Sequence, residues 1–161
     1  MSMIIDGTNG LTFNNATTQA SAGSVLQVVS AAIATYVSSS SSTFADTGVT
    51  ATITPKFATS KILILINHAG CSKEAANTSI KLQLLRGSTQ ILYLEDRAAA
   101  TGDTSTNFIG PMSTNYLDSP ATTSATTYKT QYAAANGGNV SIGNYGTTPV
   151  TSTITLMEIA A

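Results

Sequence analysis

Charge is scarce in this chain of 161 residues. Seven Lys or Arg and eight Asp or Glu are present, so charged residues make up 9% of the sequence, against about 25% in an average soluble domain. The basic residues are scattered, which argues against a nucleic-acid-binding surface. A free monomer with so few charges would be poorly soluble. We therefore expect Ser, Thr and Asn side chains to solvate part of the surface and an oligomer to bury much of the rest.

Cysteine, tryptophan and long apolar runs are also rare or missing. The single cysteine, Cys71, excludes an internal disulfide and a multi-cysteine metal site, and we expect it to be a buried apolar residue. The longest purely apolar run, residues 62–66, is too short to span a bilayer. The first residues lack the basic and apolar regions of a signal peptide. The expectation is a protein made in the cytoplasm without membrane insertion.

Catalysis needs titratable groups that converge, and the sequence offers few. His68, the only histidine, follows an apolar run, which favours a partly buried, hydrogen-bonded histidine over a general base. A strand would place His68 and Cys71 on opposite faces, unless Gly70 introduces a turn. The charged run at residues 95–97 fits a solvated strand end with a local ion pair better than the paired acids of a glycosidase.

Sequence motifs for cofactors and metals are absent as well. The chain contains no GxSxG elbow, Walker loop or HExxH helix. Asp103 and Asp118 lie in predicted loops and match no EF-hand pattern. We therefore assign no catalytic residue, no cofactor and no metal ligand, and we expect the protein not to be an enzyme.

From residue 24 onward the sequence shows short β-like runs at regular spacing, each bounded by turn residues. Residues 62–66, apolar at every position, predict a central strand covered on both faces. Gly110 and Pro111 predict a bulge or a bend, and Asn136 and Gly137 predict a hairpin that joins the flanking strands. Eight or nine antiparallel strands in this length predict an all-β sandwich of jelly-roll type.

Two elements allow more than one interpretation. In residues 25–37 the apolar residues have helical spacing, but the valines and the serine run at residues 38–42 favour a strand. Tyr128 and Tyr132 alternate with polar residues along one strand and could line a subunit interface. We favour ordinary packing in the core of the domain for both tyrosines.

Residues 4–19 form a polar segment with widely spaced apolar residues and no core of its own. Those apolar residues are Ile4, Ile5, Leu11 and Phe13. The composition predicts two parts: residues 1–23 as an extended N-terminal assembly arm and residues 24–161 as the sandwich domain. Because the arm cannot fold alone, we expect these four residues to contact a neighbouring copy or another protein.

The segment DGTNGLTFNNATTQ resembles the short DGT-G-h-x-F-x-x-x-T-x-Q segment, with h apolar, of many bacteriophage tail-fibre and virion proteins. GSVLQVVS, SKILILI, LLRGSTQI, YLDSPATTSATTYKTQYA and STITLMEI resemble a domain of marine and freshwater phages, especially cyanophages. Asn14, Asn15 and Ala16 stand where the fibre version often has Pro-Asp-Gly. The resemblance implies a non-enzymatic, homotrimeric β-sandwich on the virion surface, synthesised in the host cytoplasm, and it carries over no catalytic or ligand residues.

Three functions are consistent with the sequence. We favour a capsid cement, or decoration, protein whose partners are itself and the major capsid protein. This preference rests on the few residues that precede the single domain and on the multiplied contacts of three arms. A small tail-fibre subunit that contacts tail proteins is the alternative. The third is a carbohydrate-binding fibre tip, in which Tyr93, Tyr116 or Tyr145 would stack on host surface polysaccharide.

Overall fold

The chain is built from antiparallel strands. The computed structural model describes residues 4–6, 10–12, 18–19, 24–98, 100–102, 107–143, 148 and 150–160, with only the backbone described at 4–6, 10–12, 18–19 and 107–109. No helix occurs within these ranges. In chain order the strands are β1 Ile4–Asp6, β2 Gly10–Thr12, β3 Thr18–Gln19, β4 Val25–Ile33, β5 Val37–Ser39, β6 Ala45–Ile53, β7 Lys61–Lys73, β8 Ser79–Arg86, β9 Thr89–Ala98, β10 Asn107–Asp118, β11 Thr126–Ala135, β12 Val140–Ile142 and β13 Ser152–Ile159.

Strands β4–β13 form two sheets that face each other. In the first sheet, β7 pairs with β10 on one side, and on its other side with β13 along residues 61–67 and with β12 at residues 72–73. Strand β4 pairs with β13, and β5 pairs with β12. The second sheet has the order β6-β11-β8-β9. The prediction of an all-β, antiparallel, sandwich-like fold is therefore confirmed.

The core lies between the two sheets. Ile62, Ile64 and Ile66 alternate along β7 and pack in one cluster with Leu84 of β8 and Tyr128 of β11. A second cluster contains Cys71, Ile80, Leu82, Tyr132 and Val140. Tyr128 and Tyr132 are 0% and 3% exposed, so both tyrosines belong to the core, as favoured from the sequence.

Two strand predictions can be compared directly with the structure. Residues 25–37 contribute β4 and the start of β5, so the strand prediction is confirmed and the helical alternative is wrong. Residues 62–66 lie in a central strand, between β10 and β13. Their predicted burial on both faces is wrong within this single chain. Leu65 is 41% exposed and Leu63 is half-buried, because only one face of β7 meets the opposite sheet.

The predicted turns have the expected backbone conformation, but one of them connects two strands that do not pair with each other. Gly110 has a φ of 88°, and the β7–β10 register shifts on both sides of it, which confirms the bulge. Asn136 and Gly137 both have positive φ, at 61° and 73°, as a tight turn requires. The predicted hairpin is wrong, however. Strand β11 pairs with β6 and β8, while β12 pairs with β5 and β7, so the chain crosses between the sheets at this turn.

The described part of the N-terminal arm folds back on itself. Strands β1, β2 and β3 pair in sequence as a three-stranded antiparallel sheet, with Ile5 opposite Leu11 and Leu11 opposite Gln19. Backbone N–H and C=O groups need partners, and here the segment supplies its own. The predicted extended arm thus contains short strands that pair with one another, and these strands form a sheet separate from the two body sheets.

Candidate functional site

A row of apolar side chains crosses the outer face of the first sheet. Leu117 of β10 lies opposite Leu63 of β7, Leu63 lies opposite Met157 of β13, and Met157 lies opposite Val28 of β4. Leu65, Ile159 and Val25 extend this row along the strands. We call these seven residues, Val25, Val28, Leu63, Leu65, Leu117, Met157 and Ile159, the apolar face.

The apolar face is open in the single chain. Val28 is 55% exposed, Leu117 49%, Val25 48% and Leu65 41%. These four are a majority of the seven strongly exposed large apolar or aromatic side chains in the described part of the protein. Isolated exposed apolar residues are ordinary, but a contiguous patch marks an interaction surface. The clustering on one sheet face is therefore the feature that calls for a function.

The surroundings of the apolar face are polar and almost without charge. The next rows carry Ser30 and Thr155, whose hydroxyls lie 3.0 Å apart, and Ser113, whose hydroxyl donates to Asn67 Oδ1 at 2.7 Å. In the described residues on this side of the sheet, across the rows of the apolar face and the polar rows next to it, Lys61 is the one ionisable side chain, and it lies opposite Ile159. An apolar centre with a hydrogen-bonded rim and few charges is typical of protein interfaces.

The opposite outer face has a different chemistry. On the second sheet, Lys129 Nζ lies 2.9 Å from Asp46 Oδ2, and Gln131 Nε2 donates to Asp46 Oδ1 at 2.7 Å. Gln83 Nε2 donates to Gln131 Oε1 at 2.8 Å, which extends the network to β8. The hydrogen bond from Lys129 is the main reason why the pKa of Asp46 lies below its usual value. This polar face is suited to water, and the apolar face differs from it in its exposed apolar side chains and its scarcity of charge.

The size of the apolar face can be estimated from strand geometry. Neighbouring strands lie about 4.8 Å apart, and residues on the same side of a strand lie about 6.7 Å apart. Four strands and four rows, including the rim, therefore cover roughly 500 Å². This is less than the roughly 800 Å² that each partner contributes to a standard interface, so the apolar face has the size of the centre of a contact surface.

The candidate catalytic residues are buried and electrically neutral. His68 and Cys71 are each 1% exposed. Gly70, with a φ of 61°, and a register shift opposite Gly110 allow both side chains to face the interior. The thiol donates to the His68 carbonyl oxygen at 3.6 Å, not to the imidazole. Burial raises the pKa of Cys71 to about 12 and lowers the pKa of His68 to about 4, which is opposite to the ionisation of a nucleophilic thiolate–imidazolium pair.

His68 also differs from its sequence-based prediction. It is buried as expected, but in the described part of the chain neither ring nitrogen has a hydrogen-bond partner. Both nitrogens remain buried because β7 directs the ring inward, beside Ile66 and opposite Met112 of β10. The expected hydrogen bond to His68 is therefore missing from the described residues.

The acidic residues are dispersed. Glu95, Asp96 and Arg97 are exposed near the end of β9, with Arg97 Nε 3.9 Å from Asp96 Oδ2, as expected for a solvated strand end. Asp118 was assigned to a loop, but it ends β10 and is 6% exposed. Among the described residues no three His, Cys, Asp or Glu side chains cluster as metal ligands. Asp103 lies outside the described residues.

The aromatic residues considered for sugar stacking do not converge. Tyr93 is 61% exposed on β9, on the polar face. Tyr116 of β10 is half-buried and packs against the core. Tyr145 lies outside the described residues. The structure thus presents no aromatic platform formed by Tyr93 and Tyr116.

The four arm residues predicted to mediate assembly can be placed only by their backbone. Ile4 and Ile5 lie on β1, and Leu11 lies on β2. Phe13 lies outside the described residues. The apolar face was missed by the sequence reasoning, although a signal was present. Apolar residues occupy both sides of β7 and of β13, as Leu63 and Met157 show, and a strand at the surface of an isolated domain would carry polar residues on one side.

Comparisons with known proteins give no family assignment. No protein-family model matches the chain, and no curated protein matches it. Within the described ranges, no helix has the length and hydropathy needed to cross a bilayer.

Proposed function

We propose that this chain is a non-enzymatic structural protein of the phage virion surface, and that it acts as a homotrimeric capsid cement protein. The observation that carries the proposal is the apolar face. Leu63 and Leu65 belong to a sequence pattern typical of a strand covered on both sides, yet the chain covers only one side. A neighbouring copy supplies the missing cover, and the trimer hides the apolar surface that would make a free monomer poorly soluble.

We also propose that the sandwich is a jelly roll, and the strand order supports this. Strands β4 and β5 act as one strand position, as do β12 and β13. Numbered this way, the sheets have the orders 1-8-3-6 and 2-7-4-5. This alternation between sheets is the order of an eight-stranded jelly roll, a fold common in viral capsid proteins.

The N-terminal arm contributes the second contact. Its own strand pairing satisfies backbone groups within residues 4–19, which leaves the arm free to act as a small separate module. Three arms on one trimer bind with an effective concentration that strengthens individually weak contacts. In this proposal the apolar face holds the copies together and the arm, with Ile4, Ile5, Leu11 and Phe13, binds the capsid.

The neutral state of the buried candidates supports a non-enzymatic role. A nucleophile needs a base that polarises it, whereas His68 and Cys71 share only a bond from the thiol to a backbone carbonyl. The acidic residues of β9 are exposed, and in the described residues they belong to no cluster of three or more His, Cys, Asp or Glu side chains.

A tail-fibre subunit is the second candidate, because the DGTNGLTF segment resembles fibre proteins. The two candidates are separated by mixing purified protein with heads and with tails of the phage that encodes it, each prepared from particles that lack this chain. Co-sedimentation with heads supports the cement role. Co-sedimentation with tails alone supports the fibre role, and binding to neither removes the proposed position on the virion surface.

A further inference from the structure

A cavity of about 180 Å³ lies where the edges of the two sheets meet, between β9 and β10. Its apolar walls come from Ile66, Leu82, Leu94 and Met112, while His68 also lines it and Glu95 stands at its rim. The cavity is separate from the apolar face, which lies on the outer side of the first sheet. Nothing in the proposed assembly role uses this cavity.

Among the side chains that line this cavity, which also include Ser113 and Thr114, His68 is the one with buried nitrogens that have no hydrogen-bond partner in the described residues. The side chain is 1% exposed, and neither ring nitrogen has a hydrogen-bond partner in the described part of the chain. A buried polar group without a partner destabilises a fold, and native proteins rarely leave one unsatisfied without a reason. Both nitrogens are covered in the unliganded fold, so a bound molecule with a hydrogen-bonding group satisfies His68 after a small movement of the side chains around the ring.

The chemistry of the walls limits what this molecule can be. Burial keeps the imidazole neutral at pH 7, with a pKa of about 4, so one ring nitrogen donates and the other accepts. The exposed Glu95 carboxylate at the rim disfavours anions. Four apolar side chains favour a ring or a short hydrocarbon. An apolar cavity of about 150 Å³ is large enough for benzene, so a single six-membered ring fits.

We propose that this cavity binds a small neutral phenol-like molecule, with its hydroxyl hydrogen-bonded to His68 and its ring against Ile66, Leu82, Leu94 and Met112. The hydroxyl can donate to the accepting ring nitrogen or accept from the donating one. Because the site connects edge strands of opposite sheets, the bound molecule also stabilises the folded sandwich by mass action.

The test compares phenol with benzene, because the two rings differ by one hydroxyl. Each is titrated into the intact chain while NMR follows two sets of signals, the imidazole signals of His68, the only histidine, and the methyl signals of Ile66, Leu82, Leu94 and Met112, which remain available as the readout in His68→Leu. We expect the Kd of phenol to be about tenfold lower than the Kd of benzene, because one hydrogen bond strengthens binding by about this factor. In His68→Leu that preference should vanish while benzene still binds.

A second variant keeps the test independent of His68. Leu94→Phe fills the cavity and leaves the imidazole in place, so it should abolish binding of both rings. Tyr93→Phe, an exposed neighbour on the same strand, serves as the control that should bind like the wild type. Near-ultraviolet circular dichroism confirms that each variant is folded.

Three results would overturn the inference. The first is that phenol and benzene leave the imidazole signals unchanged up to their solubility, which means that water alone occupies the cavity. The second is that the phenol preference persists in His68→Leu. The third is that the folded Leu94→Phe variant binds as tightly as the wild type.

Discussion

The Tyr128 hydroxyl donates a 2.6 Å hydrogen bond to Oδ2 of Asp118, and this bond joins the two sheets of the sandwich. Tyr128 belongs to β11 of the second sheet, and Asp118 ends β10 of the first. Arg86 of β8 completes the cluster through Nη1, 3.1 Å and 2.9 Å from the two carboxylate oxygens. Burial, followed by the bond to Asp118, raises the pKa of Tyr128 above its usual value.

Tyr128→Phe removes the hydroxyl and keeps the ring in the core. Because the bond involves a carboxylate, we expect the free energy of unfolding to fall by about 2 kcal/mol. Urea unfolding followed by fluorescence or circular dichroism measures the change. Tyr93→Phe, at a position that is 61% exposed, should change stability by less than about 0.5 kcal/mol. Equal effects at both positions would show that the bond to Asp118 contributes nothing.

His68 predicts a defined dependence of stability on pH. Its pKa falls from 6.5 in the unfolded chain to about 4 in the folded protein, because burial disfavours the imidazolium. The unfolded state therefore binds the additional proton in this interval. Stability is full above pH 6.5 and declines as the pH falls towards 4, by at most roughly 3 kcal/mol.

The measurement is the urea midpoint of the wild type and of His68→Leu at several pH values from 8 to 4. The wild type should lose stability between pH 6.5 and pH 4, and the variant should show a flatter profile in that interval. Parallel profiles would mean that His68 titrates alike in the folded and unfolded states.

The sequence was sufficient to locate most of the strands, but it did not show which sheet a strand joins or which of its sides is covered. The bulge at Gly110 and the turn at Asn136 and Gly137 have the predicted backbone conformation, since these residues act through local backbone geometry. The hairpin at Asn136 was wrong because the same local turn can lead to either sheet. Leu65 was placed in the right strand but predicted to be buried, because an apolar pattern does not reveal which chain provides the cover.

The candidate site was predictable only in part. Low charge predicted an oligomer, and the sequence marked Ile4, Ile5, Leu11 and Phe13 as the apolar residues of the N-terminal arm. The sequence shows apolar residues on both sides of β7 and β13, but it does not show that they join with side chains of β4 and β10 in one face. The apolar face arises when strand register aligns side chains from four strands that are distant along the chain, and register is a property of the assembled sheet.

Gly143 should be among the least replaceable glycines of the described chain. Its φ is 102°, and a Cβ there would collide with the Thr35 carbonyl oxygen, which is backbone and cannot move away cheaply. We expect Gly143→Ala to lower the free energy of unfolding by about 3 kcal/mol or more, since strain and overpacking act together. Differential scanning calorimetry measures the shift in Tm.

Gly87 provides the matched control for that substitution. Its φ is also positive, at 61°, but no atom lies within 4 Å of the added Cβ. Gly87→Ala should cost only the conformational penalty of about 1–2 kcal/mol. If Gly143→Ala is no worse than Gly87→Ala, the contact with Thr35 does not constrain this turn.

Deletion of residues 1–23 separates assembly from folding. The sandwich core lies within residues 24–161, so the truncated protein should unfold at nearly the wild-type temperature and fail to enter virus particles. Phe13→Ala should reproduce the assembly defect, since its apolar surface is worth about 2 kcal/mol when buried against another chain. Thermal unfolding and particle incorporation are measured side by side. Normal incorporation of the truncated protein would show that the arm is not the anchor.

Light scattering coupled to size exclusion tests the central claim, that the apolar face joins copies of this chain. At micromolar concentration the wild type should have three times the 16.5 kDa mass of one chain. The double variant Leu65→Lys, Leu117→Lys should be a folded monomer, because charges on the face cannot be desolvated. Tyr93→Lys, Gln90→Lys places the same charges on the polar face and should remain trimeric. A wild-type monomer, or a trimer that survives charges on the apolar face, would contradict the account.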